Sequence, residues 1–351
     1  MIDLTEQFRE RVLAAAVDKA PLRIRGGGTK DFYGNKPEGA LLDTTNHTGI
    51  VAYEPTELVV TARAGTRLAE LEAALAETGQ MLAFEPPHFG EATVGGCVAA
   101  GLSGPRRATA GSVRDFVLGV KLLDGKGEIL NFGGQVMKNV AGYDVSRLMA
   151  GALGTLGLLL EVSLKVLPKP PAEATLRLEL PQDKAIEAMN RWGGQPLPIS
   201  ATCWSDGQLT LRLSGARAAV AAAREKIGGE AVADADGFWR AVREQQDDYF
   251  SGEAALWRLS LPSKTAPLAL PGEPLIEWGG ALRWLTFDGP AALVREAAAR
   301  AGGHATLFRG SDKSAGAFQP LPAPLMAIHR NLKRSFDPQG LFNPGRLYPE
   351  L

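Results

Sequence analysis

The chain has 351 residues, 45% of them hydrophobic and 22% charged, and its formal net charge is −1. This is the composition of a globular protein with room for two domains, and the balanced charge argues against a dedicated nucleic-acid binder. No uncharged stretch of about 18 residues is present, so we expect no transmembrane segment. The N-terminus does not resemble a signal peptide, and the few cysteines fit a cytoplasmic protein.

The cysteines and histidines show no metal-binding or disulfide pattern. Cys97 and Cys203 lie far apart and form no CxxC motif, which argues against a disulfide framework and an iron–sulfur cluster. The histidines have no HxH or HExxH spacing, so we predict that the protein holds no metal. They are His47, His88, His304 and His329.

The first half of the chain alternates helix and strand patterns. Residues 66–80 predict a helix that Thr66 caps and Gly79 ends. Residues 116–132 predict a hairpin with Asp124-Gly125 in its turn. Further helices are predicted at 4–19 and near 143–150, and further strands at 21–26, 41–45, 49–65 and 158–168.

A proline-rich segment at 168–175 predicts a domain boundary. Beyond it, strands and helices alternate as in an antiparallel sheet with helices on one face. We therefore predict an α+β protein with a first domain at 1–171, a second domain at 172–325 and a C-terminal segment at 326–351.

Three glycine-rich segments stand out in the first domain, at residues 26–30, 93–107 and 150–157. Glycine lets the backbone form a concave nest of N–H groups that binds anions. Hydroxyl groups and positive charges adjoin these segments, and together they suit a diphosphate. The hydroxyls belong to Thr29, Thr93, Ser103, Ser112 and Thr155, and the charges to Arg25, Lys30, Arg106 and Arg107.

The usual nucleotide-binding motifs do not fit these segments. Residues 151–157 read GxxGxxG and precede a strand, and the sequence contains no GxxxxGK[ST] loop. Each segment alone is equally consistent with a set of tight turns. Three such segments within one domain favour a bound ligand.

The sequence resembles the FAD-binding domain of the vanillyl-alcohol oxidase and p-cresol methylhydroxylase (PCMH) family. The matching motifs are RIRGGGTKDFYG at 23–34, a second segment at 86–129, LMAGALGTLGLLLEVSLKVLPKP at 148–170 and FDPQGLFNPGRL at 336–347. Residues 104–157 more closely resemble a family within this group, the E subunits of bacterial glycolate oxidases (glycolate dehydrogenases). The resemblance implies a PCMH-type FAD domain of two subdomains, an antiparallel-sheet and helix cap, and a C-terminal segment that returns to the FAD domain.

The resemblance also implies how FAD is held. The first segment would bind the pyrophosphate, the second the pyrophosphate and ring, and the third the adenosine end, while the tail approaches the ring system. Family members that tether FAD through the first loop carry histidine where this chain has Thr29. We therefore predict non-covalent FAD, unless His329 reaches the ring. The implied FAD contacts are Arg25, Gly26, Gly27, Gly28, Thr29, Lys30, Thr93, Val94, Gly95, Gly96, Ser103, Gly104, Gly111, Ser112, Gly154, Thr155, Leu158 and Asn343.

The residues that would oxidise a hydroxy acid are harder to find. Related catalytic subunits and D-lactate dehydrogenases carry HGxxGDGNxH and EHGIG motifs, and this chain has neither. His88, Lys138 and Tyr143 are candidates, although packing within a loop explains His88 equally well and a turn capped by Asp144 explains the other two. His304 is more readily a surface or strand-end residue.

The resemblance implies an FAD subunit of a glycolate oxidase complex that converts glycolate to glyoxylate. Its partners would be a catalytic flavin subunit and an iron–sulfur subunit, and only these would bring it to the inner membrane. Because the catalytic motifs are missing, we expect the chain to assist or to relay electrons. The alternatives are an independent FAD-dependent 2-hydroxy-acid dehydrogenase and a flavin-free structural subunit. A UDP-sugar enolpyruvyl reductase is disfavoured by the long C-terminal segment.

Overall fold

The computed structural model describes residues 2–134 and 144–351. The chain divides into two compact units. The first consists of Met1–Leu102, Ser112–Pro168 and Pro320–Leu351, and the second of Ser103–Gly111 and Lys169–Gln319. Across the described ranges, none of the helices is long and apolar enough to cross a lipid bilayer.

The first unit combines short helices with strands. Its strands are β1 (Leu22–Arg25), β2 (Ala40–Asp43), β3 (Ile50–Glu54), β4 (Val59–Arg63), β5 (Gln80–Met81), β6 (Val117–Leu123), β7 (Ile129–Gly133), β8 (Leu158–Lys165) and β9 (Leu167–Pro168). Its α-helices are α1 (Thr5–Asp18), α2 (Leu68–Glu77), α3 (Val94–Ala100), α5 (Val113–Phe116) and α10 (Ala323–Phe336), and a 3-10 helix covers Ser146–Met149.

Within the described ranges, the first unit contains three sheets, of which one is the pair of β5 with β9. Strands β3-β4-β8-β6-β7 form an antiparallel sheet in that order, while β1 and β2 pair in parallel. The chain end joins the β1-β2 sheet, because Leu22 forms a parallel bridge with Phe342 and donates its N–H to Leu341 O at 2.7 Å. Phe8 and Val12 of α1 pack with Leu42 and Phe342 in one buried cluster. The C-terminal segment is therefore part of the core of the first unit.

The hairpin predicted at 116–132 is confirmed, because β6 and β7 pair from Gly119 with Gly133 to Leu123 with Ile129. The cap predicted at Thr66 is wrong. Helix α2 begins only at Leu68, and the Thr66 hydroxyl instead donates to Gly49 O at 3.2 Å and accepts from Gly49 N at 2.9 Å. A long-range contact thus takes the hydroxyl that a local cap would have used.

The second unit contains one eight-stranded sheet. Its strands follow the order β13-β10-β12-β11-β15-β16-β14-β17, and all the pairings are antiparallel. They are β10 (Ala172–Glu179), β11 (Ile199–Ser205), β12 (Gln208–Gly215), β13 (Glu230–Ala231), β14 (Leu256–Ser260), β15 (Leu275–Glu277), β16 (Leu282–Thr286) and β17 (His304–Arg309). The helices are α4 (Arg107–Ala110), α6 (Gln182–Gly193), α7 (Arg217–Ile227), α8 (Ala235–Glu244) and α9 (Ala291–Arg300).

Alternation along the strands gives this sheet two different faces. Leu209 and Leu211 pack with residues of α6 and α7, and Trp257 and Leu259 pack with residues of α9. The intervening positions hold polar side chains that are nonetheless buried. These are Thr175, Thr210, Arg212, Glu277 and Thr306.

Candidate functional site

Two adjoining cavities in the first unit bring the three glycine segments together. The first cavity is lined by residues 24–31 with Thr93 and Arg346, and the second by Gly95, Gly154 and Leu158. Both cavities are also lined by Ile24, Gly26, Gly96, Ala99, Leu153 and Asn343. We call this pair of cavities the glycine cleft.

The glycine cleft is smaller than a complete ligand pocket. Its two cavities measure about 80 and 70 Å³, whereas pockets for drug-sized ligands take about 300–1,000 Å³. The cleft can therefore hold only a portion of a dinucleotide.

The first glycine loop leaves four successive backbone N–H groups without a protein acceptor. Within the described ranges, the amides of Gly26, Gly27, Gly28 and Thr29 donate to no backbone or side-chain oxygen, although these residues are half-buried. Partly buried amides are normally paired, so such a run calls for an external acceptor. A row of free N–H groups next to a glycine in the left-handed region (Gly28, φ +71°) suits an anion.

The loop also has no room for side chains. A Cβ on Gly26 would overlap the Thr93 hydroxyl, and a Cβ on Gly27 would overlap Glu91 O. The loop backbone therefore lies directly against residues 91–93. This close approach explains two of the three consecutive glycines.

Arg25 and Lys30 lie beside the loop but have partners within the chain. Arg25 Nε lies 2.7 Å from an Asp31 carboxylate oxygen. The Lys30 ammonium is buried and donates to His88 O at 3.0 Å and to Thr29 Oγ1 at 3.1 Å. Both charges thus adjoin the free amides, and both side chains line the cleft.

The second glycine segment begins as helix α3, and not as the open turns that its glycines suggested. Thr93 caps the helix by accepting from Gly96 N at 3.2 Å. The amides of Val94 and Gly95 donate to Thr66 O and Ala64 O at 2.9 and 2.8 Å. Their N–H groups are therefore already used, and Gly95 and Gly96 contribute a surface without side chains. Val94 is fully buried and does not line the cleft.

The third segment reaches the cleft through Gly154 and Leu158. Gly154 has a φ of +73°, and a Cβ there would lie 2.7 Å from Asn343 Nδ2. Thr155 has a different place, because its hydroxyl donates to Ala152 O at 2.8 Å and its carbonyl accepts from Lys333 Nζ at 2.8 Å. Thr155 does not line the cleft.

Asn343 lies at the junction of the first and third segments. Its Oδ1 accepts from Ile24 N at 2.8 Å, and its Nδ2 donates to Leu153 O at 2.6 Å. Arg346, which the sequence reasoning missed, donates from Nη2 to Lys30 O and Tyr33 O at 3.1 and 3.0 Å. Burial lowers the pKa of Arg346. The NPGR motif that contains both residues is the one sequence signal that could have indicated Arg346.

Besides Val94 and Thr155, four more of the expected contacts do not line the cleft. Ser103, Gly104 and Gly111 belong to the second unit, where Gly104 O accepts from Trp278 Nε1 at 3.0 Å. Ser112 belongs to the first unit but forms a capping box, in which its N and Oγ both lie 2.8 Å from Asp115 Oδ2.

Side chains of residues 103–111 form further bonds with the rest of the second unit. Arg106 forms a 2.7 Å ion pair with Glu173, and Thr109 donates to Ser200 O at 3.1 Å. Burial raises the pKa of Glu173, but hydrogen bonds from Ser214 and Arg106 outweigh that effect and leave the pKa below its ordinary value. The carboxylate therefore stays ionised against Arg106.

Among the described residues, no histidine lines the glycine cleft. His88 Nε2 lies 3.0 Å from Glu72 Oε2, and the side chain does not line the cleft. Lys138 and Tyr143 lie outside the described residues. His304 belongs to the second unit, where burial and the charge of Arg258 lower its pKa. His329 lies on α10 and is absent from the cleft lining.

Comparison with known proteins identifies FAD as the cofactor. Residues 3–133 match the FAD binding domain family model, which confirms the cofactor expected from the sequence. The chain is 53% identical over 350 residues to the glycolate oxidase subunit GlcE of Escherichia coli, covering 99% of both chains. It is 30% identical over 174 residues to the glycolate oxidase subunit GlcD of Bacillus subtilis, covering 49% of this chain and 37% of that relative. A D-lactate dehydrogenase of Archaeoglobus fulgidus is 33% identical over 184 residues, or 51% of this chain and 40% of its own length.

A solved structure confirms the predicted α+β, PCMH-type fold. An alkyldihydroxyacetonephosphate synthase superposes with a TM-score of 0.66 at 15% identity, covering 97% of this chain and 74% of that one. At this identity the likeness concerns the fold alone.

Proposed function

Because this chain belongs to the family of GlcE glycolate oxidase subunits, we propose that it is the FAD-binding subunit of a complex that oxidises glycolate to glyoxylate. The observation that carries this proposal is the run of four half-buried amides at Gly26–Gly27–Gly28–Thr29 that have no acceptor among the described residues. A diphosphate supplies several anionic oxygens in a row, which is what such a run can bind.

Different residues of the glycine cleft would contact different parts of FAD. The four loop amides would bind diphosphate oxygens, and Arg25 and Lys30 would offset the negative charge. Gly95, Gly96 and Gly154 would let the rest of the nucleotide approach the backbone closely. When bound, FAD supplies two-electron redox chemistry.

We propose that FAD is held without a covalent bond. Thr29 stands where family members that tether FAD through this loop carry histidine, and a threonine hydroxyl is a poor nucleophile. Thr29 Oγ1 already accepts from Lys30 Nζ. His329 does not line the cleft, which supports the same conclusion.

We further propose that this subunit relays electrons or supports a catalytic flavin subunit, with an iron–sulfur subunit as the third member. The named relatives GlcE and GlcD are both glycolate oxidase subunits, so the assembly has several chains. None of the histidine candidates in the described part of this chain lines the glycine cleft. A cytoplasmic complex would then touch the inner membrane only through the partners.

The experiment is to purify the chain alone, reconstitute it with FAD and mix it anaerobically with glycolate. We expect a flavin absorption spectrum that glycolate does not bleach until the catalytic subunit is added. Bleaching of the isolated chain within the turnover time of the complex would instead support an independent 2-hydroxy-acid dehydrogenase. An absence of flavin after reconstitution would support a structural subunit.

A further inference from the structure

Three side chains from the C-terminal segment are bonded to the backbone of the segments that form the glycine cleft. Arg346 donates to Lys30 O at the end of the first segment and to Tyr33 O just after it. Asn343 connects Ile24 N, just before that segment, with Leu153 O in the third. Lys333 donates to Thr155 O in the third segment.

All three side chains are deeply buried, with 3% of Asn343, 6% of Lys333 and 7% of Arg346 exposed. Hydrogen bonds in such surroundings have well-defined geometry, and breaking them leaves polar groups unsatisfied. Their partners are main-chain atoms, so the bonds fix the path of the backbone itself.

Glycine loops need such support more than other loops do. Gly26, Gly27 and Gly28 have no side chains to pack, and glycine has the largest conformational freedom to lose on ordering. The four amides of this loop make no bonds within the described chain that would fix it. The loop is therefore held by the residues packed around it and by the hydrogen bond from Arg346 to Lys30 O at its end.

The C-terminal segment is itself held rigidly. Asp337 accepts from Leu341 N and Phe342 N at 2.9 and 2.7 Å and pairs with Lys333 at 2.8 Å. Asn343 N donates to Leu22 O at 2.9 Å. These hydrogen bonds hold the C-terminal segment in one conformation, and this fixes the positions of Asn343 and Arg346.

We propose that Asn343 and Arg346 are positioning residues that hold the glycine cleft in its FAD-binding conformation, without contributing the diphosphate ligands themselves. This inference rests on the proposed function, because it takes FAD as the ligand of the cleft. Loss of either side chain makes the loop less ordered in the apoprotein. Part of the binding free energy of FAD is then used to order the loop, so FAD binds more weakly.

The test compares Arg346→Met and Asn343→Ala with the wild type in the full-length apoprotein. Arg334→Met is the matched control, because Arg334 is an exposed arginine of the same C-terminal segment, within α10, and does not line the cleft. FAD affinity is measured from the quenching of flavin fluorescence. Amide hydrogen exchange is measured without FAD at residues 24–33 and 151–157 and in the strands of the second unit.

We expect both variants to raise the Kd for FAD by at least about tenfold and to speed exchange in the two cleft segments only. If the two side chains act only by positioning the loop, the absorption spectrum at saturating FAD should equal that of the wild type. FAD affinities within about twofold of the wild type for both variants would overturn the proposal.

Two other outcomes are also decisive. If the wild type itself binds no FAD, the proposed function fails. Hydrogen exchange then tests the positioning role by itself, and variants whose exchange in the cleft segments equals that of the wild type would overturn it. If Arg346→Met does not fold, Arg346→Lys replaces it. This variant keeps the charge but not the guanidinium fork, and an intermediate affinity supports the proposal, whereas a wild-type affinity contradicts it.

Discussion

Gly27 lies so close to Glu91 that any side chain at residue 27 would overlap the Glu91 carbonyl oxygen. The loop therefore reaches its neighbour backbone to backbone. The loop packs closely at this point, while its amides at Gly26 to Thr29 donate to no acceptor in the described part of the chain. The absence of side chains and the availability of the amides are two consequences of the same packing.

Replacing Gly27 with aspartate should abolish FAD retention. The new side chain must displace the loop from residue 91, and its negative charge would repel the diphosphate. We expect the FAD content after purification to fall at least about tenfold, while the far-ultraviolet circular dichroism spectrum stays that of the wild type.

Gly193→Asp is the matched control for that substitution. A Cβ at Gly193 meets nothing within 4 Å, and the residue lies at the end of α6 in the second unit. It should retain wild-type flavin content. Normal flavin content in Gly27→Asp would count against the loop as the diphosphate site.

Acid precipitation should separate FAD from the protein. Thr29 offers no ring nitrogen for a covalent bond, and His329 lies away from the cleft. We expect the yellow colour to stay in the supernatant. Colour in the pellet after washing would contradict the non-covalent proposal.

His47 should make the protein less stable in mild acid. The imidazole is fully buried, its Nδ1 accepts from Leu4 N, and its Nε2 donates to Leu160 O. Burial lowers the pKa of His47, although Asp3 opposes the effect. In the unfolded chain His47 has its ordinary pKa of 6.5. It therefore binds a proton in mild acid, where the folded protein keeps the imidazole neutral. The contribution of His47 to the free energy of unfolding is complete above pH 6.5 and is lost progressively as the pH falls below that value.

Urea unfolding at about pH 7.5 and about pH 5.5 checks this dependence. His47→Gln should lower the free energy of unfolding by about 2 kcal/mol at the higher pH, because packing of the ring against Phe8 is lost. The same variant should show a smaller loss on acidification than the wild type. His329→Gln, at a half-exposed site, serves as the control. An unchanged pH slope in His47→Gln would refute the assignment.

Lys333 and Asp337 should behave as a coupled pair. Their charged groups lie 2.8 Å apart with 8% and 0% of the side chains exposed. Lys333→Met leaves a buried carboxylate without its cation, and we expect a loss of about 3–5 kcal/mol. Adding Asp337→Asn should recover part of that loss, as a double-mutant cycle of unfolding free energies would show. Strictly additive losses would mean that the two groups are not coupled.

Local patterns in the sequence predict much of this fold. The turn at Asp124-Gly125 and the end of α2 near Gly79, where φ is +70°, follow from residue preferences that act over a few positions. The cap at Thr66 fails because Gly49, far away in sequence, takes its hydroxyl. Side-chain partners of this kind depend on tertiary structure, which a local pattern does not contain.

The candidate site shows the same division. Glycine content and neighbouring charges indicate the first loop, and the structure brings it together with parts of the other two segments. The sequence does not reveal that the amides of Val94 and Gly95 are already bonded to residues 64 and 66. Arg346 escapes notice because its partners Lys30 and Tyr33 lie more than 300 residues earlier. That distance also explains why the tail looks like a separate segment in the sequence.

The most direct measurement is an experimental structure of the chain with FAD. We predict diphosphate oxygens within hydrogen-bonding distance, about 3 Å, of the amides in the run from Gly26 to Thr29. A diphosphate bound elsewhere, with these four amides facing only water, would contradict this prediction.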